Sequence, residues 1–290
     1  MTDRYQRIKT MEKEYPLTEL CAAFEVSRSG YYDWRERKPS ARQQANTRLV
    51  EQIQIIRQGE EVCYGSPRMT EELKGRGHVC SENRVARLMR EHDLRAQLKP
   101  RFVPCTTDSH HDQPVAPNRL AQRAAPDGPN QIWLQDITYV PTAQGWLFLA
   151  LVMDLWSRKI VGWAMADHLR SELAVGALQM AQTQRRPGKG LLVHSDRGVQ
   201  YASRETREFL EHHGWIASMS RSGNPYDNAW MESAIGKIKS EVLGRSLPTN
   251  HATARQQLFV GIQCWYNQRR RHSALAYQSP VAFETQFMKN

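Results

Sequence analysis

Residues 132–140 read IWLQDITYV, and the rest of the fold is read outward from this run. β-Branched and aromatic residues dominate it, as in a strand packed against a core, yet Asp136 stands in its middle. Two further runs of the same character follow, Trp146–Leu155 and Lys159–Ala166, with Pro141–Gly145 and Trp156–Arg158 as the turns. Beyond them, residues 171–183 (SELAVGALQMAQT) have the spacing of an amphipathic helix. Gly190–Ser195 is a short buried strand, Arg204–His213 a helix ended by Gly214, and Trp215–Met219 another strand. Asp227–Leu243 reads as a long helix with Asp227 at its cap. Three strands, a helix, a strand, a helix, a strand and a helix describe a mixed α/β domain over 129–245.

Three acids in this region sit where an acid is locally unwelcome. Asp136 interrupts an apolar strand. Asp196 follows the run LLVHS directly, at the strand end where open α/β sheets place ligands. Glu232 lies in DNAWMESAIGKIKSEVL, among residues expected to face the core. A buried carboxylate is costly unless paired or bound to a metal, and clustered oxygen ligands suit Mg²⁺ or Mn²⁺. Each acid alone has an ordinary reading: a cap for Asp136, a turn before Gly198 for Asp196, a helix face for Glu232. Their spacing argues for a joint site. Residues 197–231, 35 in all, separate the second acid from the third, and Lys239 follows Glu232 by seven positions. Seven residues are about two helical turns, so Lys239 points the same way as Glu232.

The flanks are basic. The chain of 290 residues carries a net charge of +10, with 20 Lys and Arg against 15 Asp and Glu in residues 1–101 and five against one in residues 246–290. Such an excess fits an anionic partner, most often nucleic acid. Residues 16–37 predict two short helices, the second opened by Ser27 and carrying Arg28, Tyr31, Tyr32, Arg35 and Arg37, with Glu25 where the turn of a helix-turn-helix often has glycine. A generic helical hairpin is the plain alternative. Residues 64–94 repeat the pattern, with Thr70 or Ser66 available to cap the first helix and Ser81 the second. Arg84, Arg87 and Arg90 are distributed around that second helix, where a phosphate-contacting role competes with a merely solvated face. The organisation expected is therefore a helix-turn-helix at 1–45, a second such helical domain at 46–100, an extended Pro-rich linker at 101–128, the α/β domain at 129–245 and a basic helical extension at 246–290. In the extension, Trp265 and Tyr266 are expected in the core, and Arg270 and Arg271 at phosphate or at a protomer contact. No run approaches the ~20 apolar residues of a membrane helix. Five scattered cysteines and no secretory signal predict reduced thiols in a cytoplasmic protein, without a zinc site.

The strings WLQDITYV (133–140), LVMDLWSRKIVGW (151–163), HSDRGVQYAS (194–203), NPYDNAWMESAIGKIKSE (224–241) and YNQRRRHSALAYQSPVAFE (266–284) resemble the DDE transposase and retroviral-integrase superfamily. They are most similar to the second-reading-frame transposase of the IS-three insertion-sequence family, and the resemblance spans nearly the whole chain. It implies a multidomain protein: a helix-turn-helix N-terminal region and an α/β ribonuclease-H-like core with a mixed five-stranded sheet. It implies Asp136, Asp196 and Glu232 as catalytic ligands of two Mg²⁺ ions, with Mn²⁺ able to substitute, and Lys239 as a contact to transposon-end DNA. It also implies nicking at the element's ends, strand transfer through a joined-ends circle, and a homo-oligomer on double-stranded DNA, with an upstream-frame protein as a further partner. Gln135 replaces the usual threonine before the first acid, and Trp230 a smaller residue near Glu232.

Asp154 is expected to hold a turn, and His194 and Arg197 flank Asp196 with phosphate contact as one option for each. Two other functions stay open on these residues: a nuclease that hydrolyses without joining, and a DNA-binding regulator with an inactive core.

Overall fold

The computed structural model describes residues 2–96, 113–221, 225–243 and 247–289. Its chain divides into two compact units, residues 1–53 and residues 54–290.

In the first unit, α1 (Thr2–Met11), α2 (Leu17–Ala23) and α3 (Arg28–Glu36) close over Tyr5, Ile8, Leu20, Cys21 and Tyr31. Ser27 caps α3 by accepting from the Gly30 amide at 3.0 Å, as its position predicts. The α2–α3 turn does pass through the left-handed region at Glu25 (φ 53°), a conformation that usually falls to glycine. The sequence pattern predicts neither α1 nor α4 (Ala41–Ile56), and α4 runs across the boundary expected at 45/46 between the two helical domains. Both have polar residues over most of their surface, which leaves little apolar period to read.

In the second unit, α5 (Ser66–Gly75) and α6 (Glu82–Glu91) pack together. Ser81 caps α6 through the Arg84 amide. The α5 cap position belongs to Gly65; Thr70 instead turns its hydroxyl back to the Ser66 carbonyl. Residues 97–112, which hold much of the expected linker, lie outside the described residues. The part that is described, 113–128, is tied to the core, because the amides of Arg119 and Leu120 both reach the Ser218 hydroxyl.

The α/β region matches the predicted element order. β1 (Ile132–Thr142), β2 (Gly145–Asp154) and β3 (Ile160–Ala166) form an antiparallel meander, followed by α7 (Ser171–Arg185), β4 (Leu192–Ser195), the single turn α8 (Val199–Ala202), α9 (Arg204–His212) and β5 (Ile216–Met219). β4 joins β1 in parallel and β5 joins β4 in parallel, giving a five-stranded mixed sheet in the order β3-β2-β1-β4-β5. Strand alternation sorts its two faces. Ile132, Leu134, Leu149, Leu151 and Leu192 face the helix α10 (Ala229–Glu241) and α11 (His251–Val260). Trp133, Ala150, Val152 and Val193 face α7 and α9. Asp154 holds the β2–β3 turn, buried and accepting from the amides of Asn130, Trp156 and Ser157. Among the described residues no helix is long and apolar enough to cross a membrane.

Gly162 permits the close seat of α7 on β3. A Cβ there would lie 2.8 Å from the Ala181 Cβ and nearer still to the Ala177 carbonyl, both rigid parts of the helix. Overpacking of this kind costs about 1–3 kcal/mol. Gly162→Ala is expected to lower the urea midpoint accordingly; an unchanged midpoint would show that α7 can move away freely.

After α11 the chain makes one π-helical turn (Gly261–Tyr266), and α12 (Pro280–Phe287) ends the fold. His272 is buried against Tyr266 and near Arg270 and Lys237; burial, then those cations, push its pKa down to about 2. Its unfolded value is near ~6.5. The unfolded chain therefore takes up a proton below that pH which the folded chain refuses. The His272 contribution is complete above pH ~6.5 and is lost as pH falls, by about 2 kcal/mol on reaching pH 5. Comparing urea unfolding at pH 7.5 and 5, His272→Gln is expected to lose about 2 kcal/mol less on acidification than the parent. Equal losses would refute the assignment.

Candidate active site

The sheet itself brings Asp136 and Asp196 together. Leu134 on β1 is registered with His194 on β4, the last pair of that parallel ladder. Each aspartate lies two residues further on, so the two occupy equivalent positions on neighbouring strands, which run ~4.8 Å apart. Two residues also preserve the face: Asp136 continues Ile132 and Leu134, and Asp196 continues Leu192 and His194, toward α10. Both side chains are half-buried.

Asp136 Oδ1 accepts from the Ile137 amide at 2.8 Å, and Asp196 Oδ1 accepts from the Gly198 amide at 2.9 Å. Burial pushes the Asp136 carboxyl well above the usual range, and the neighbouring charges of Asp196 and, more weakly, Glu232 push the same way. Lys239 opposes them: its ammonium is destabilised by burial and supported by Asp136. The four residues thus share one electrostatic neighbourhood.

Glu232 departs from the expected placement. Met231, Ala234, Ile235 and Ile238 take the buried stripe of α10, and Glu232 lies exposed at its edge. Among the described residues, no three His, Cys, Asp or Glu side chains are drawn tightly enough to enclose an ion. The arrangement is an aspartate pair, with the glutamate acting on it from α10. Hard oxygen donors that repel one another suit a small divalent cation, which would offset the burial and the repulsion that raise Asp136.

Two neighbours went unassigned in the sequence reading. Tyr201 is buried on α8, its hydroxyl has no hydrogen-bond partner among the described residues, and burial and the charges of Asp136 and Asp196 hold its pKa far above the ordinary value. Its presence in the string 194–203 was the available signal. Gln135, on the opposite face of β1 from Asp136, has no partner for its buried Oε1 among the described residues.

His194 is fully buried between the hydroxyls of Ser218 (2.9 Å) and Ser220 (3.2 Å), and burial pushes it down to about 4. A neutral imidazole in that position ties β4 to β5 and does not present a cation to phosphate. Arg197 donates from Nε to the Ser220 carbonyl at 2.7 Å. Asp227 is not the cap of α10: it stands one residue earlier in a 3₁₀ turn and binds Arg221 and Asn118.

The residues expected at DNA divide. Arg28, Tyr32 and Arg35 are exposed on α3, with the Arg35 guanidinium 5.0 Å from the Tyr32 ring. Arg84 and Arg87 are half-exposed on α6, and Arg87 pairs with Glu91 at 2.7 Å. Arg271 donates to Glu72 at 2.8 Å. Arg270 corrects the reading of the arginine run, since its side chain is 1% exposed and forks onto Glu241 at 2.6 and 2.7 Å. Charge count alone could not separate it from its neighbours.

Comparison with known proteins agrees with this architecture. The integrase core domain matches residues 126–225 and again 213–280, and an HTH-like domain matches residues 44–102. The 31 kDa protein of insertion element IS600 from Shigella sonnei is 43% identical over 268 residues, 92% of this chain and 98% of its own length. Transposase InsF for insertion sequence IS3A from Escherichia coli (strain K12) is 37% identical over 283 residues, 97% of this chain and 98% of its own. Among solved structures, the HTLV-2 integrase catalytic core domain in complex with magnesium aligns with a TM-score of 0.43 at 18% identity, covering 55% of this chain and 98% of that one. With family domains matched from residue 44 to residue 280 and end-to-end identity to these relatives, the chain belongs to the IS3 (IS-three) family of insertion-sequence transposases, DNA-binding polynucleotidyl transferases of the DDE class.

Proposed function

We propose that Asp136, Asp196 and Glu232 are the ligands through which this transposase uses two Mg²⁺ ions, or Mn²⁺ in their place, to cut and join DNA. The observation that carries the assignment is the crowding of charge on Asp136: two carboxylates stand in equivalent strand positions with a third on the facing helix and one lysine among them, and burial and these neighbours raise the Asp136 carboxyl. Ions bound there would polarise the scissile phosphate and activate first water and then a DNA 3′-hydroxyl.

The chain's own groups orient the site. The Ile137 and Gly198 amides each hold one oxygen of an aspartate, fixing how the two carboxylates would face a cation. Lys239, near Asp136, is placed to meet the phosphate charge that develops during transfer. Tyr201, whose hydroxyl beside the pair has no partner among the described residues, has a donor to offer to a water or phosphate oxygen. Arg28, Tyr32 and Arg35 on α3, Arg84 and Arg87 on α6, and Arg197 and Arg271 supply backbone contacts to the transposon ends. Positioning two ends at once calls for a homo-oligomer on DNA, with the upstream-frame protein as a further partner.

The test is incubation of the full chain with Mg²⁺ and labelled duplexes carrying the element's terminal repeats. Joined products are expected. Hydrolysis without joining would replace the transfer reading with a nuclease, and metal-independent binding alone would leave a regulator.

A further inference from the structure

On another side of α10, a cavity of about 250 Å³ is lined by Arg68, Arg158, Lys237, Arg270, Trp230 and Tyr266. Four cations thus converge on it. Glu241 is the anion that compensates them, bonded to Arg270 at 2.6 Å and 3.6 Å from Arg68. Asp154, buried behind the β2–β3 turn, also acts on Arg158, so two carboxylates stand against four cations and the cavity stays positive.

Two polar atoms at its wall are buried and unsatisfied. Arg158 Nη1 has no hydrogen-bond partner among the described residues, and neither has His272 Nε2. Arg158 is held there by a strained backbone, left-handed at φ 60° without being glycine. Its guanidinium carbon lies 5.5 Å from the ring centroid of Trp230, which is 45% exposed and so forms an open rim. Lys237 is pushed down to about 8 by burial, with Arg270, Arg68 and Arg158 adding repulsion. A site that destabilises Arg68, Arg158 and Lys237 and leaves a buried guanidinium nitrogen unpaired is completed by a bound anion.

We propose that this cavity is a second DNA-phosphate site, in which Arg158 and Lys237 hold a backbone phosphate while Trp230 covers it from the rim. Lys237 and Lys239 are two residues apart on α10, hence about 200° apart around a helix ~10–12 Å across. One face of the helix serves the carboxylates and another serves the cavity, so DNA crossing the exposed edge at Glu232 can touch both.

The proposal rests on DNA as substrate but not on the carboxylate assignment, so it is tested without divalent metal. Binding of a labelled terminal-repeat duplex to the full chain is followed by anisotropy across salt concentrations. Lys237→Gln is expected to weaken binding about tenfold near ~0.1 M salt. It should also flatten the slope of log K against log salt by about 0.9, one phosphate contact. Lys237→Arg should restore both. Ser233→Glu, at an exposed cavity residue that accepts from Lys237 at 2.8 Å, puts a carboxylate where the phosphate would sit and should mimic Lys237→Gln without disturbing the core. Unchanged affinity and slope in variants with parental urea midpoints would overturn the proposal. Saturable binding of inorganic phosphate, seen by ³¹P NMR and lost in Lys237→Gln while the salt slope stays parental, would overturn it too, because the cavity would then serve a free anion.

Discussion

Asp136→Asn is expected to reduce strand cleavage and joining by about a thousandfold or more, on the order of 4 kcal/mol of transition-state stabilisation, while leaving DNA affinity in the absence of metal nearly unchanged. The exchange keeps the volume of the side chain and an acceptor oxygen for the Ile137 amide, so the strand should not move. What disappears is an anionic ligand. The same change has a second consequence of opposite sign. Asp136 carries its charge against burial and against Asp196 and Glu232, so removing that charge relieves the metal-free fold. The variant should unfold at a higher temperature than the parent without divalent ions, and gain less than the parent when Mg²⁺ or Mn²⁺ is added. Parental cleavage by Asp136→Asn would end the ligand assignment. Lost cleavage without the stability crossover would indicate that Asp136 acts other than through the charge cluster.

The other large effect is structural. Glu241→Ala is expected to destabilise the second unit by about 3–5 kcal/mol, the usual loss when one member of a buried ion pair is removed. Arg270 would keep its charge at 1% exposure with no carboxylate, and the Trp265 indole and Arg68 would lose the same partner. Exchanging both members, Glu241→Leu with Arg270→Met, should recover most of that loss, since a well-packed apolar pair avoids the desolvation cost entirely. Urea unfolding of the full chain measures both. A loss under about 1 kcal/mol in Glu241→Ala would mean that water reaches Arg270 and that the pair is not a buried one.

How legible these features were in the sequence follows from how local their causes are. β1 to β5 and α7 were readable because strands covered on both faces read as nearly continuous apolar runs, and a helix on a sheet repeats at 3.6. The positions of Asp136 and Asp196 inherit that legibility, as each is fixed by its strand. Glu232 was recognisable by spacing, but its exposure was not: one residue of rotation on α10 decides between the buried stripe and its edge, and the stripe is set by what α10 packs on. Arg270 shows the opposite limit. Four basic residues in a row look alike until Glu241, 29 positions earlier, selects one of them. The polar α1 and α4, and the tethering of 113–128 through Ser218, likewise depend on partners remote in sequence.

The contact that joins α5 to the C-terminal extension has a geometric meaning for the reaction. The Arg271 amide bonds the Tyr64 hydroxyl at 3.0 Å, its guanidinium bonds Glu72, and Tyr64 packs on Trp265 with ring centroids 5.6 Å apart. The α5–α6 pair is thereby clamped to the same body as the aspartates, whatever path residues 97–112 take between them. The protein can then act as a calliper: with the transposon end on α6 as proposed, the span of folded protein from α6 to Asp136 and Asp196 would set which phosphodiester is presented for cutting.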